Sequence, residues 1–325
     1  MRAFPDAVYL LSATGGLLTT LTAMPLWRAW CRRTGLLDDP GHRKIHHQPI
    51  PLAGGLAVFT GLVVPLLIGG LTLLAGVFDE ETTARFLHGL GRRGPQLLAV
   101  LAGALGMVGL GWLDDRHELK PGQKLAGQVL IALVVAVSGV RVTLFVPSVV
   151  ASVALTVLWI LVVTNAVNIM DNMNGLCAGL GVIGTFYFGL AAGLAGQYLV
   201  TAMALLTCGA LLGFLPFNFP KASSFLGDSG SHLVGYLLAV LAILPDFYSS
   251  THPVWWAVLT PLCVLAVPLG DMLAVIWIRR RLGKPFYVGD TNHLSHRLVR
   301  RGLSQPRAVL LIWLLATLAG AVPFL

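Results

Sequence analysis

Residues 149–175 read VVASVALTVLWILVVTNAVNIMDNMNG. The part from 149 to 167 carries no charge and is long enough to cross a bilayer as a helix. It runs without a spacer into Asn168, Asp171, Asn172 and Asn174. Such groups are costly at a membrane boundary unless they recognise something polar. A helix C-cap and turn accounts for Asn174-Gly175, while the amides and carboxylate together match the edge of a nucleobase.

Working outward, the same alternation of apolar run and polar break repeats along the chain. Segments 8–27, 52–76, 95–113, 124–139, 149–167, 176–194, 200–216, 228–244, 254–278 and 307–325 are expected to span. The fold class predicted is an all-α polytopic integral membrane protein of about ten helices, forming one domain over 1–325. With 56% hydrophobic and 11% charged residues, no soluble core of this length would hide the apolar side chains. Segment 140–148 is β-prone and predicts a small outer hairpin, and 77–94 is expected as an outer loop. Four scattered cysteines offer no metal-ligand spacing.

Charge orients the chain. Arg28, Arg32 and Arg33 follow the first span, which places the N-terminus outside and loops 28–51, 114–123, 168–175, 217–227 and 279–306 inside. Of 22 Lys and Arg, all but Arg2, Arg85, Arg92, Arg93 and Arg141 then fall on the inward side. The expected location is the plasma membrane with a cytoplasmic site. A net charge of +8 spread over short loops argues for membrane lipid and phosphate contact and against nucleic acid.

The acids divide in the same way. Asp38, Asp39, Asp114, Asp115, Glu118, Asp171, Asp228, Asp271 and Asp290 are inward, and five of them, Asp114, Asp115, Asp171, Asp228 and Asp271, abut or enter apolar helices. A solvated helix end explains any single one. Convergence on one face favours function. Asp114-Asp115 closes a span ahead of Lys120 and Lys124, and Gly227-Asp228-Ser229-Gly230-Ser231 opens another, where a helix-capping Asp is the plain alternative. Together they offer oxygen ligands suited to Mg²⁺, which binds few carboxylates and completes its shell with water and substrate phosphate. His293 and His296 stand at i, i+3 beside Arg297 in a basic last loop, suited to pyrophosphate rather than zinc.

These motifs resemble the polyprenyl-phosphate N-acetylhexosamine-1-phosphate transferases, relatives of phospho-MurNAc-pentapeptide translocase, in all five inward loops and in order. Asp38-Asp39-Pro40-Gly41-His42-Arg43-Lys44-Ile45-His46 with Pro49 to Gly55 is similar to the family's first loop. Asp114-Asp115 with Lys124 and Gln128 is similar to the second, Asn165 to Gly175 to the third, Phe225 to Ser231 to the fourth, and Lys284-Pro285-Phe286 through Asp290, His293 and His296 to the fifth. The last loop is closer to the members that start O-antigen or teichoic-acid chains, the WecA/TagO type. Leu52, Asn174 and Ser295 depart from the family pattern, where Arg, Asp and His are common.

The resemblance implies transfer of a HexNAc-1-phosphate, GlcNAc-1-phosphate first among them, from a UDP-sugar donor to a polyprenyl phosphate acceptor such as undecaprenyl phosphate, with release of UMP and a need for Mg²⁺, Mn²⁺ being the alternative. It implies Asp114, Asp115, Asp228 and His293 as catalytic residues, and Asp228 and Asp115 as metal ligands. Substrate would be held by Arg43, Lys44, His46, Lys124, Asn168, Asp171, Asn174, Phe225, His296 and Arg297. A homodimer is open. The rival classes are a transporter or flippase for a polyprenyl-linked sugar, which would spread polar groups through the membrane depth, and a lipid-phosphate receptor, which would not need the carboxylates.

Overall fold

The computed structural model describes residues 5–39, 48–78, 80–143, 146–245, 247, 255–285 and 291–325. Helices dominate: α1 Asp6–Thr34, α2 Gly54–Leu74, α3 Glu80–His117, α4 Pro121–Val137, α5 Val149–Asn168, α6 Leu176–Leu194, α7 Tyr198–Phe214, α8 Gly227–Leu241, α9 Thr260–Val264, α10 Ala266–Arg281, α11 Leu294–Arg300 and α12 Gln305–Ala321. One two-stranded antiparallel ribbon, β1 Leu37–Asp38 with β2 Ile50–Pro51, pairs Leu37 with Pro51.

Each of the ten apolar segments coincides with a helix, but ten full spans is too many. Among the described residues, seven helices are long and apolar enough to cross, or eight when the segment 257–281, bent by 62° near Leu265, is taken as one. The helix α4 has 17 residues and α8 only 15, about 25 and 22 Å of rise. The shortness of α8 has a physical reason. Every one of its residues except Asp228 is buried, packed between α2, α3, α5 and α6, so it answers to protein neighbours and not to bilayer thickness.

Two local expectations are corrected. The stretch 77–94, expected as an outer loop, is largely helical, because α3 begins at Glu80 and runs through Pro95 to His117. Acids in its first turn, a Glu81–Arg85 pair one turn apart and the interleaved Phe86, Leu87 and Leu90 make that stretch amphipathic. The hairpin at 140–148 does not form among the described residues. Instead, the Val142 N–H donates to Thr156 Oγ1 (2.9 Å) and the Val142 carbonyl accepts from Ser152 Oγ, so hydroxyls of α5 take the bonds a partner strand would have taken.

Small residues let the helices approach. A Cβ on Gly209 would lie 2.0 Å from the Ala13 carbonyl oxygen, and one on Gly111 would lie 2.3 Å from that of Asp228. The first contact clamps α7 to α1; the second clamps α3 to the start of α8.

Candidate active site

The mouth of α8 is assembled from separate loops by main-chain bonds. The ribbon carries Pro51 to the fourth loop, where its carbonyl accepts from Phe225 N (3.0 Å) and Ser224 Oγ (2.9 Å). In return, Gly54 N and Gly55 N donate to the Phe225 and Leu226 carbonyls at 3.0 Å each. A Cβ on Gly55 would meet Gly230 N at 2.4 Å. The Gly54-Gly55 pair is therefore required where α2 begins against α8.

On that frame the carboxylates take different jobs. Glu118 ends α3 with a left-handed φ of 47°, which turns Leu119 N back onto Asp114 Oδ1 at 2.8 Å. Asp114 Oδ2 pairs with Lys124 Nζ at 2.6 Å, and the same ammonium lies 3.3 Å from Asp228 Oδ1. Asp115 reaches across to α8, its Oδ1 accepting Asp228 N (2.7 Å) and its Oδ2 accepting Ser229 N (3.1 Å). The cap of α8 is thus supplied by Asp115 from α3, and Asp228 makes no side-chain cap of its own.

The third loop adds the other polar side. Asn168 Nδ2 donates to Asp228 Oδ1 and to Ser231 Oγ, both at 2.7 Å. Asn165 bonds Gln128 (2.7 Å), Asn172 accepts from Ser295 Oγ (2.6 Å) and Asn174 Nδ2 donates to the Pro220 carbonyl (3.2 Å). Gly175, at φ 77°, donates to Asn218 Oδ1 at 2.6 Å. The amides thus tie the third loop to α4, to the fourth loop and to the fifth. Two of the sequence departures, Asn174 and Ser295, are among these ties.

The Asp171 carboxylate stands apart: its backbone N–H donates to the Asn168 carbonyl (3.0 Å), but its side chain has no hydrogen bond or ion pair among the described residues. Burial first, and then the negative charges of Asp228, Asp115 and Asp38, push its carboxyl up from 3.8 to about 8. The folded value lies above the unfolded one, so the stability Asp171 contributes is complete below about pH 4 and is lost as pH rises to about 8. Asp171→Asn carries no such loss. Its unfolding midpoint, measured against the unmodified chain by thermal scans in detergent, should gain between pH 5 and pH 8. A constant gap across that range would refute the assignment.

The fifth loop docks from α10. Asp271 accepts Leu294 N on Oδ1 (2.6 Å), and its Oδ2 lies 2.7 Å from His293 Nδ1, with both side chains buried. His293 is the N-cap residue of α11, and its ring centroid is 6.5 Å from that of His296. Asp271 is the partner that fixes His293, a role its inclusion among the intramembrane acids did not specify.

Lys124, Asp114, Asp115, Asn168 and Asp228 are thereby joined in one bonded network, and Asp171 is close enough to feel two of its charges. Phe225 is fixed at the same mouth through its backbone. His293, with His296 and Arg297, is held by a separate anchor, and Asn174 by the Pro220 turn. Arg43, Lys44, His46 and Asp290 lie outside the described residues. No three His, Cys, Asp or Glu side chains form a cation cage among the described residues. A divalent cation that takes most of its ligands from water and substrate oxygens needs only one or two carboxylates from the protein. Asp228 suits it best, being 35% exposed and engaging only Oδ1.

The glycosyl transferase family 4 model matches residues 97–246, which contain this network. A Bacillus subtilis protein named "Probable undecaprenyl-phosphate N-acetylglucosaminyl 1-phosphate transferase" is 33% identical over 308 residues, covering 92% of this chain and 79% of the relative. The chain belongs to glycosyl transferase family 4. The decaprenyl-phosphate N-acetylglucosaminephosphotransferase of Mycobacterium tuberculosis is also 33% identical, over 94% of this chain and 79% of its own. The undecaprenyl-phosphate alpha-N-acetylglucosaminyl 1-phosphate transferase of Escherichia coli is 26% identical over 91% and 77%. For this family 4 chain the similarity extends well beyond the matched segment, into the ribbon and the fifth loop on either side of it.

Proposed function

We propose that this family 4 enzyme transfers GlcNAc-1-phosphate from a UDP-sugar to a polyprenyl phosphate and releases UMP. The observation that carries the reading is the Asp114–Lys124–Asp228–Asn168 network, built from three loops at one end of α8, in a chain whose relatives bear the names of that reaction. A transporter has no need of such a one-sided charged cluster.

In this reading the acceptor phosphate lies against Lys124 and the donor pyrophosphate between Asp228 and the basic fifth loop with His293, His296 and Arg297. Mg²⁺ is held by Asp228, with Mn²⁺ as the substitute, and it supplies charge neutralisation on the pyrophosphate oxygens when bound. Asp115 keeps the start of α8 in register, and Asn168 orients Asp228. Phe225 stacks on the uracil ring, with Asp171 close by. Catalysis by these side chains is positioning and electrostatic stabilisation of an in-line displacement at phosphorus. The test is UMP release by detergent-purified protein with polyprenyl phosphate and a panel of UDP-sugars. UDP-GlcNAc should give the highest rate, and absence of lipid-dependent UMP release with every donor would overturn the reading.

The site faces the cytoplasm across the plasma membrane, with the N-terminus outside. Cysteines placed at Glu118, Ser223 and Ser304 should be shielded from impermeant thiol reagents in intact cells, while one at Thr82 should label. Labelling of the first three from outside would reverse the orientation.

A further inference from the structure

The last helix before His293, with the turn that follows it, carries basic residues to which the proposed transfer assigns no role of their own. Along α10, Leu273, Ile276, Trp277, Arg280 and Arg281 recur at the spacing of one helical stripe, and Lys284 follows just past the helix end. Leu273 is 63% and Trp277 54% exposed, so this stripe faces lipid through Trp277. The apolar part then gives way within one turn to cations, which sets Arg280 and Arg281 at headgroup depth.

Here the chain forms an open recess in its surface. Ile276, Arg280, Gly283, Lys284 and Pro285 line a space of about 380 Å³. Its shape follows from the helix end: Gly283 adopts φ 66°, its N–H donates to the Arg280 carbonyl (3.2 Å) and Lys284 N donates to the Arg279 carbonyl (2.9 Å). This turn folds Lys284 back toward Arg280 and satisfies carbonyls that would otherwise repel an anion at a helix C-terminus. The Arg281 guanidinium lies 3.9 Å over the Trp277 ring, which fixes an aromatic beside the recess. Neither Arg280 nor Lys284 has an acidic partner among the described residues. Orientation in the membrane accounts for the basic residues being at this end. It does not account for two of them walling a recess that has an apolar side open to lipid.

We infer that this recess binds the phosphate of an anionic membrane phospholipid, whose acyl chain lies along Leu273, Ile276 and Trp277. The occupant is a bulk anionic lipid because the site couples an open apolar stripe to two cations that have no acidic partner among the described residues.

The experiment is native mass spectrometry of the full chain in detergent, titrated with phosphatidylglycerol or with phosphatidylcholine of the same chains. The unmodified chain should retain phosphatidylglycerol saturably and phosphatidylcholine weakly. Arg280→Gln with Lys284→Gln should weaken phosphatidylglycerol by about fivefold for each cation removed, with an unchanged thermal melt. Equal phosphatidylglycerol retention by the unmodified chain and the double variant would overturn the site. Competitive displacement of the lipid by polyprenyl phosphate would also overturn it, since the recess would then belong to the acceptor. So would efficient disulfide cross-linking of Trp277→Cys between two copies in native membranes, since a second chain would then cover the stripe.

Discussion

Asp228→Asn is expected to lower turnover by about a thousandfold, the upper range for removing one electrostatic stabiliser from a preorganised site, while leaving the fold intact. The amide keeps the shape and can still accept the Asn168 Nδ2 hydrogen that Oδ1 now takes at 2.7 Å. The cap of α8 is untouched, because it comes from Asp115 to the backbone N–H groups of Asp228 and Ser229. What is lost is the negative charge facing Lys124 at 3.3 Å and the oxygen available to a divalent cation. The loss should therefore appear in kcat at saturating donor and acceptor, and raising Mg²⁺ should not restore it. Near-normal turnover at saturating Mg²⁺, with the melting profile of the unmodified chain, would remove Asp228 from the metal role.

The positions of the spans were readable because a bilayer forces every crossing segment to announce itself as an apolar run. What the run could not tell was its surroundings. Residues 228–244 read like a lipid-facing span, yet α8 is walled in by other helices and stops at Leu241. Hydropathy is the same for a side chain buried in lipid or in protein. The candidate acids were likewise visible as acids in apolar company, but their division of labour was not. Asp115 caps α8 only because Gly111 lets α3 come close enough. Asp271 fixes His293 across 22 positions of sequence, a pairing that no local spacing reveals. The amides of the third loop looked like a recognition surface and are largely spent on holding loops together. Donor and acceptor geometry, set by the tertiary fold, decides which of these uses an asparagine serves.

The same geometry bears on mechanism. A covalent route would make an aspartate attack the donor phosphorus, release UMP and hold a phosphosugar until the lipid arrives. Asp114 is poorly placed for that: Oδ1 accepts Leu119 N at 2.8 Å, Oδ2 is paired to Lys124 at 2.6 Å, and the residue is only 9% exposed. To attack, it would have to break a charge-assisted bond and free an oxygen that holds the end of α3. A polyprenyl phosphate, already ionised at neutral pH, needs no strong base and can use its own oxygen. In the proposed reaction, Asp114 would then orient Lys124 toward that phosphate. Rapid-quench measurement on delipidated protein mixed with UDP-GlcNAc alone should show no burst of UMP, with UMP forming only after polyprenyl phosphate is added. A burst equal to the number of active sites, abolished by Asp114→Asn, would establish the covalent route instead.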